Sequence, residues 1–407
     1  MKLLREIVGL GAANSVYLIC QLAVLSLLTW LTDIATVAAF GFIMIFVQPL
    51  FMLLRMGLRA NLATDARRQF AYPTFLMMRA IASIALFVAV TLIIAILRPE
   101  LLMLAVPLAL MNAVEMHSDL CYGVMQRAGR VNLVARSLLL RGPATVLFFG
   151  GVLAATGDAQ LAFWTQSATW LLVLWLHDFP AVRQAGETVR LDTNITRLRA
   201  LFKNTSLLGL GHFFASLQMN LPRFMVDLAL GINALALFTT VSTVHRASIG
   251  LFATLEQSLG WRLSRMWAND DQRSFFRMLL AMLSAALLLA LAGTGLAALL
   301  GRPFLGFVFG PAYTEGYALF VWISAAIGVQ LLTSVLQTAI TAQRRFQAFG
   351  HVQLLLLALT LPLAFVGLQL GGLEGVGASV FVVNLIRLVI LTLLLKGYAR
   401  KPTGDQI

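Results

Sequence analysis

Charge is scarce in this sequence, and negative charge is the scarcer kind. Charged residues make up only 12% of the 407, with 17 Asp and Glu against 30 Lys and Arg, where a soluble domain carries about 25% charged residues. That shortage, beside a hydrophobic share of 60%, excludes an ordinary water-soluble fold. There are two cysteines, Cys20 and Cys121, each inside an apolar run, so neither a disulfide framework nor a thiolate metal site can be built. The five histidines show no ligand spacing, and no metal and no cofactor are expected. Long polar segments are missing from one side of the chain, which leaves no room for an outer domain. The acids Asp33, Glu100, Asp158, Glu315 and Glu374 are scattered over separate short connections, a poor basis for the paired carboxylates of sugar chemistry.

Long apolar runs are what the sequence has instead. A bilayer needs about 20 apolar residues per helix, and that ruler gives spans at 8–31, 34–54, 76–97, 101–122, 137–156, 161–178, 205–230, 233–255, 275–300, 316–340, 350–370 and 375–396. The expected fold is an all-α integral membrane protein of about 12 transmembrane helices. The first span follows a basic head, but it is longer than a signal-peptide core of about 7–15 residues, so it reads as an uncleaved helix.

Basic residues fall in alternate connections: Lys2 and Arg5; Arg55, Arg59, Arg67 and Arg68; Arg127, Arg130 and Arg136; Arg183 to Lys203; Arg262 to Arg277; Arg344 and Arg345; Lys396 to Lys401. The positive-inside rule assigns these to the cytoplasm and with them both termini. The net charge of +13 is thereby a topology signal, and no nucleic-acid partner is implied. Outward connections are expected at 32–33, 98–100, 157–160, 231–232, 301–315 and 371–374. The most polar stretch divides the chain into an N-terminal six-helix bundle (1–178), a cytoplasmic linker (179–204), a C-terminal six-helix bundle (205–396) and a cytoplasmic tail (397–407). Similar loops at "QRAGRVNLVARSLLL" and "QRRFQAFGHVQLLLL" suggest parallel repeats with the substrate between them.

Polar residues inside the spans are the candidate site. Asn112, Glu115 and Asp119 lie three and four apart, on one helical face. His212, Ser216, Arg223 and Asp227 form a second stripe, loosened by Pro222. Arg246 follows His245, and Asn384 and Arg387 lie three apart; Gln21 and Gln48 add donors in the first two spans. A charge near a helix centre is unfavourable by about 2.5–3.5 kcal/mol, so such residues usually face a bundle interior or a hydrated path. Two readings stand for each. Arg223 and Asp227 form a structural ion pair or a functional one; Glu115 and Asp119 are wet at a helix end or bind a coupling ion; Arg246 snorkels or faces inward. The intramembrane cations Arg223, Arg246 and Arg387 all belong to the second half, which invites an anion there. The guanidinium fork suits phosphate oxygens and stays charged when desolvated.

The order of "LRANLATDARRQF", "NLPRFMVDLALG", "GWRLSRMWANDDQRSFFRML", "FGPAYTEGYALF" and "GGLEGVGASVFVVNLIRL" resembles the O-antigen and exopolysaccharide flippases of the multidrug/oligosaccharidyl-lipid/polysaccharide (MOP) exporter superfamily. The resemblance implies two six-helix bundles in a V around a central cavity. It also implies an activity: moving an undecaprenyl-diphosphate-linked oligosaccharide from the cytoplasmic to the periplasmic leaflet of a bacterial inner membrane by alternating access. On that basis Arg223, Arg246, Arg387, Asn384, Gln21 and Gln48 would hold diphosphate and sugar. Glu115, Asp119, Asp227 and His212 would be ion-coupling candidates, and the basic loops would be docking places for glycan-assembly proteins. Lipid II flippases differ in carrying arginines in the first two spans, where 8–31 and 34–54 have none. A cation-coupled drug antiporter is the alternative within the superfamily, although the first span has acids only at its ends, Glu6 and Asp33. A membrane-embedded glycan-transfer enzyme is the alternative of another class.

Overall fold

The computed structural model describes residues 2–65, 68–343 and 346–396, with side chains described for all of these except 2–8, 64, 246–259, 261, 346–351 and 396. Among the described residues there are helices and turns and no strand, as the lack of water-satisfied backbone in a bilayer requires. Among the described residues nine stretches are long and apolar enough to cross a membrane, and the chain is a multi-pass membrane protein. Large apolar side chains point outward, Phe307 at 85% and Leu370 at 84% exposure, where lipid rather than water is their natural surrounding.

The helices are α1 (Lys2–Leu31), α2 (Ile34–Arg55), α3 (Leu58–Thr64), α4 (Tyr72–Leu97), α5 (Leu102–Arg127), α6 (Val131–Thr156), α7 (Ala159–Val173), α8 (Phe179–Gln184), α9 (Ile195–Ala268), α10 (Gln272–Phe309), α11 (Tyr317–Ala342) and α12 (Phe346–Lys396). Their starts are chemically marked. Asp33, Asp158 and Asp271 cap α2, α7 and α10 by accepting from Thr36, Gln160 and Ser274 backbone N–H groups, and Pro73 opens α4. The hydrogen bonds from Thr36 hold the Asp33 carboxyl below its ordinary range.

Two long helices are interrupted where outward connections are expected. Gly231 (φ 79°, ψ −169°) breaks α9, and Gly371 with Gly372 (φ 55°) breaks α12. The expected connection at 301–315 is shorter than read, because α10 continues to Phe309 and a 3₁₀ turn fills Pro311–Gly316.

The chain divides into two compact units, Met1–Asn220 and Leu221–Ile407. The division falls inside α9, one residue before Pro222, rather than in the polar stretch 179–204. That stretch is tied to the first unit: Glu187 accepts from Arg127 at 2.7 Å and Asp192 from the Thr74 hydroxyl at 2.7 Å. The Thr74 bond, then the Asn194 N–H, keep the Asp192 carboxyl below its ordinary range.

In the first unit α5 is the hub, packed on α2, α3, α4, α6, α7 and α8, while α1 pairs with α6. Of its 26 residues 17 are buried, so a charge on its inner face must find partners in protein rather than in lipid or water. In the second unit α11 packs against both α10 and α12. The two arms of α12 meet closely: a Cβ on Gly375 would collide with the Gly367 carbonyl, and the reverse. Small residues at such crossings let helix backbones approach. Gly375→Val should therefore lower the unfolding temperature of the purified protein, with an overpacking cost of about 1–3 kcal/mol, while the same change at Gly295, where nothing lies within 4 Å, should have a much smaller effect.

Candidate functional site

Asp119, on the inner face of α5, is held by three arginines from three other helices. Arg55, in the last turn of α2, binds it through two contacts, Nε to Oδ2 at 3.0 Å and Nη2 to Oδ1 at 2.5 Å. Arg59 on α3 donates Nη1 to Oδ1 at 3.3 Å, and Arg79 on α4 brings Nη2 to 3.6 Å from Oδ2. The local chain makes this possible. Met56 and Gly57 are both left-handed (φ 49° and 60°), turning α2 sharply into α3 so that Arg55 and Arg59 reach one carboxylate. Gly123 on α5 has no side chain where the Arg59 backbone passes; a Cβ would lie 3.0 Å from its carbonyl oxygen. Arg59 also donates Nε to Gln126 at 3.2 Å and lies over the Tyr122 ring at 5.4 Å. The bidentate fork on Arg55 fixes both charge and geometry.

A second buried charge group lies beyond it. Arg141 on α6 is 1% exposed, donates to the Ser118 hydroxyl, stacks 4.8 Å over Trp170 and reaches 3.7 Å from Asp178 Oδ2. Asp178 ends a single π-helical turn, Leu174–Asp178, after α7; the wider turn, a feature frequent at functional sites, carries its carboxylate inside. His177 Nδ1 is 3.0 Å from Asp178 Oδ1. Glu115, half-buried one turn before Asp119, lies in the field of both Arg141 and Arg55.

In the second unit Arg223 is 2% and Asp227 7% exposed, and Arg223 Nη2 donates to the Ser242 hydroxyl at 2.7 Å. His245 pairs with Gln330 at 2.6 Å. Asn384 turns back on its own helix, donating to Val380 at 3.0 Å, and Arg387 reaches Gln353 at 3.4 Å. The Arg246 side chain lies outside the described residues. In the first unit Gln48 contacts Met44 sulfur at 3.8 Å, Gln21 is half-buried, and His212 is exposed on α9. No group of three potential metal ligands occurs among the described residues.

Two expectations are corrected by this geometry. Buried cations are not confined to the second half, because Arg79 (0% exposed) and Arg141 lie in the first. Arg55 and Arg59 are more than topology markers, since each binds Asp119. Arg79 and Arg141 were readable as lone arginines within "LMMRAIASIAL" and "SLLLRGPATV", but proximity to basic loops hid them. Asp178, the last residue of the expected span 161–178, is fully buried.

Compared with known proteins, the chain is 19% identical over 386 residues to the capsular polysaccharide biosynthesis protein CapF of Staphylococcus aureus, covering 93% of this chain and 95% of that protein. Among solved structures it is similar to the lipid II flippase MurJ in an inward closed conformation (TM-score 0.76, 10% identity, 95% and 87% of the two chains). It is also similar to a multidrug resistance MATE family transporter of the MOP superfamily in its inward-facing conformation (0.74, 16%, 96% of each). No family model matches. The fold is therefore the one shared by MATE transporters and MurJ.

The Arg141–Asp178 pair is enclosed, so removing one partner should be far worse than removing both. Arg141→Leu should destabilise the protein by about 3–5 kcal/mol, and adding Asp178→Leu should recover most of the loss. Thermal unfolding of the detergent-purified single and double variants reads this directly.

Proposed function

We propose that the protein is a flippase that carries an undecaprenyl-diphosphate-linked oligosaccharide from the cytoplasmic to the periplasmic leaflet of a bacterial inner membrane, by alternating access and without a catalytic step. The observation that carries the reading is the burial of arginine among membrane-spanning helices of both units: Arg79, Arg141 and Arg223 are each at most 2% exposed. Such residues are costly in a bilayer, and by default they belong to a substrate path. Guanidinium groups select phosphate oxygens over neutral drugs. The similarity to a capsular polysaccharide biosynthesis protein along nearly all of both chains, and to a lipid II flippase in fold, supports a lipid-linked glycan as cargo. Cytoplasmic termini follow from the arginine distribution.

Ion coupling, in this reading, falls to Glu115, Asp119, Asp227 or His212; the Asp119 oxygens already receive Arg55 and Arg59. A glycan-transfer enzyme has little support, because Asp33 and Asp158, two of the outer acids, are occupied as helix caps.

In cells, Arg223→Ala and Arg387→Ala should each reduce surface glycan export at least about tenfold, the effect of losing one charge-assisted phosphate contact of about 1.5–3 kcal/mol, with precursor accumulating on the cytoplasmic side. If both variants export normally while Asp227→Asn or Glu115→Gln abolishes transport, the cation-coupled antiporter reading takes its place.

A further inference from the structure

Arg79 is the charge that the fold explains least. It is 0% exposed, and none of its three guanidinium nitrogens makes a hydrogen bond. Its nearest carboxylate oxygen, Asp119 Oδ2, is 3.6 Å away, beyond hydrogen-bonding range. The reason is competition: Arg55 takes both oxygens of Asp119 and Arg59 shares one of them. Three cations thus converge on one monovalent carboxylate, and the most deeply buried of the three is left without an acceptor. An enclosed polar group without a partner is unfavourable unless something else supplies one.

A phosphate or diphosphate group has the charge and the number of oxygens that one carboxylate lacks. The approach is graded to suit it. Arg55 and Arg59 have side chains 31% and 29% exposed, while Arg79 waits behind them. Phe51 under Arg55 at 5.9 Å and Tyr122 under Arg59 at 5.4 Å support the two outer guanidinium groups, so they need not reorganise.

We propose that Arg55, Arg59 and Arg79 form a receiving site for a phosphate or diphosphate group, and that Asp119 is its internal stand-in, occupying the arginines until the anion displaces it. The carboxylate keeps the empty site neutral enough to persist among membrane helices and sets a threshold that a weak or singly charged anion does not cross. By the arginine distribution the site lies toward the cytoplasmic end of the first unit, where a headgroup from the cytoplasmic leaflet would first meet protein. The assignment of the headgroup to a lipid-linked glycan rests on the flippase reading; the anion site itself does not.

Binding of inorganic pyrophosphate and of farnesyl diphosphate to the purified full chain, read from the shift in unfolding temperature with ligand concentration, tests this. Asp119→Asn should melt lower than the wild type without ligand and bind the probes about tenfold more tightly, about 1.4 kcal/mol. Arg79→Gln should abolish the shift. Binding of both probes identifies the shared phosphate chemistry, binding of farnesyl diphosphate alone a lipid headgroup, and binding of pyrophosphate alone a free phosphate. Unchanged affinity in Arg79→Gln, or in Asp119→Asn, overturns the proposal. Should Asp119→Asn fail to fold, Arg79→Gln decides alone, because it keeps the Arg55–Asp119 pair. Loss of this site with export still sensitive to Arg223 would leave the flippase reading intact.

Discussion

A charge inside a membrane protein has to be answered by the protein itself, and Asp119 shows what that requires. Lipid offers neither counter-ion nor hydrogen bond, so the carboxylate on α5 gathers arginines from α2, α3 and α4. The hydrogen bonds of Arg55 and Arg59 tie α2 and α3 to their hub, while Arg79 on α4 approaches to 3.6 Å without one. Those bonds add to what fixes the short α3: the turn at Met56 and Gly57, the buried Leu58 and Leu62, and the packing on α5 at Gly123. Structure and electrostatics are therefore one arrangement here. The inner faces of the first unit are held by charges whose number does not balance locally, and the imbalance is positive.

The broad architecture was legible because its cause is one-dimensional. A span is about 20 apolar residues, and the breaks at Gly231 and Gly371–Gly372 fall where small or acidic residues interrupt such a run. The charge cluster was not legible, because its cause lies across helices. Spacing along α5 puts Glu115 and Asp119 on one face, yet nothing in that helix says that Arg55 and Arg59 will reach the carboxylate. Arginines near basic loops carry two messages at once, topology and pairing, and the first hides the second. Arg79 and Arg141 suffered most from this. The role of Asp178 was hidden for another reason: a π-helical turn after Val173 carries its carboxylate inward, and nothing along the chain announces that turn. The unit boundary inside α9 was equally invisible, since a helix can continue through a change of packing partner.

The distribution of charge bears on the cargo proposed above. Carboxylates in the described structure are largely committed: Asp33, Asp158 and Asp271 as caps, Asp192 and Glu187 in tying down the polar stretch, Asp119 and Asp178 to arginine. Guanidinium groups recur at buried positions in both units, and their planar fork matches carboxylate and phosphate oxygens. A neutral or cationic drug would gain nothing from them. For the proposed flippase, an amphiphile with a charged linkage between sugar and lipid would find its acceptor-poor partner in Arg79, none of whose guanidinium nitrogens makes a hydrogen bond.

In the proposed flippase, recognition runs through the charged linkage rather than through the sugar or the tail. It is tested most directly by reconstituting the protein in vesicles with two fluorescent lipids of identical sugar and prenyl chain, one joined by a diphosphate and the other by a neutral ether, and measuring transfer between leaflets. Protein-dependent transfer of the diphosphate lipid and only background transfer of the neutral one are expected. Equal transfer of both would contradict it.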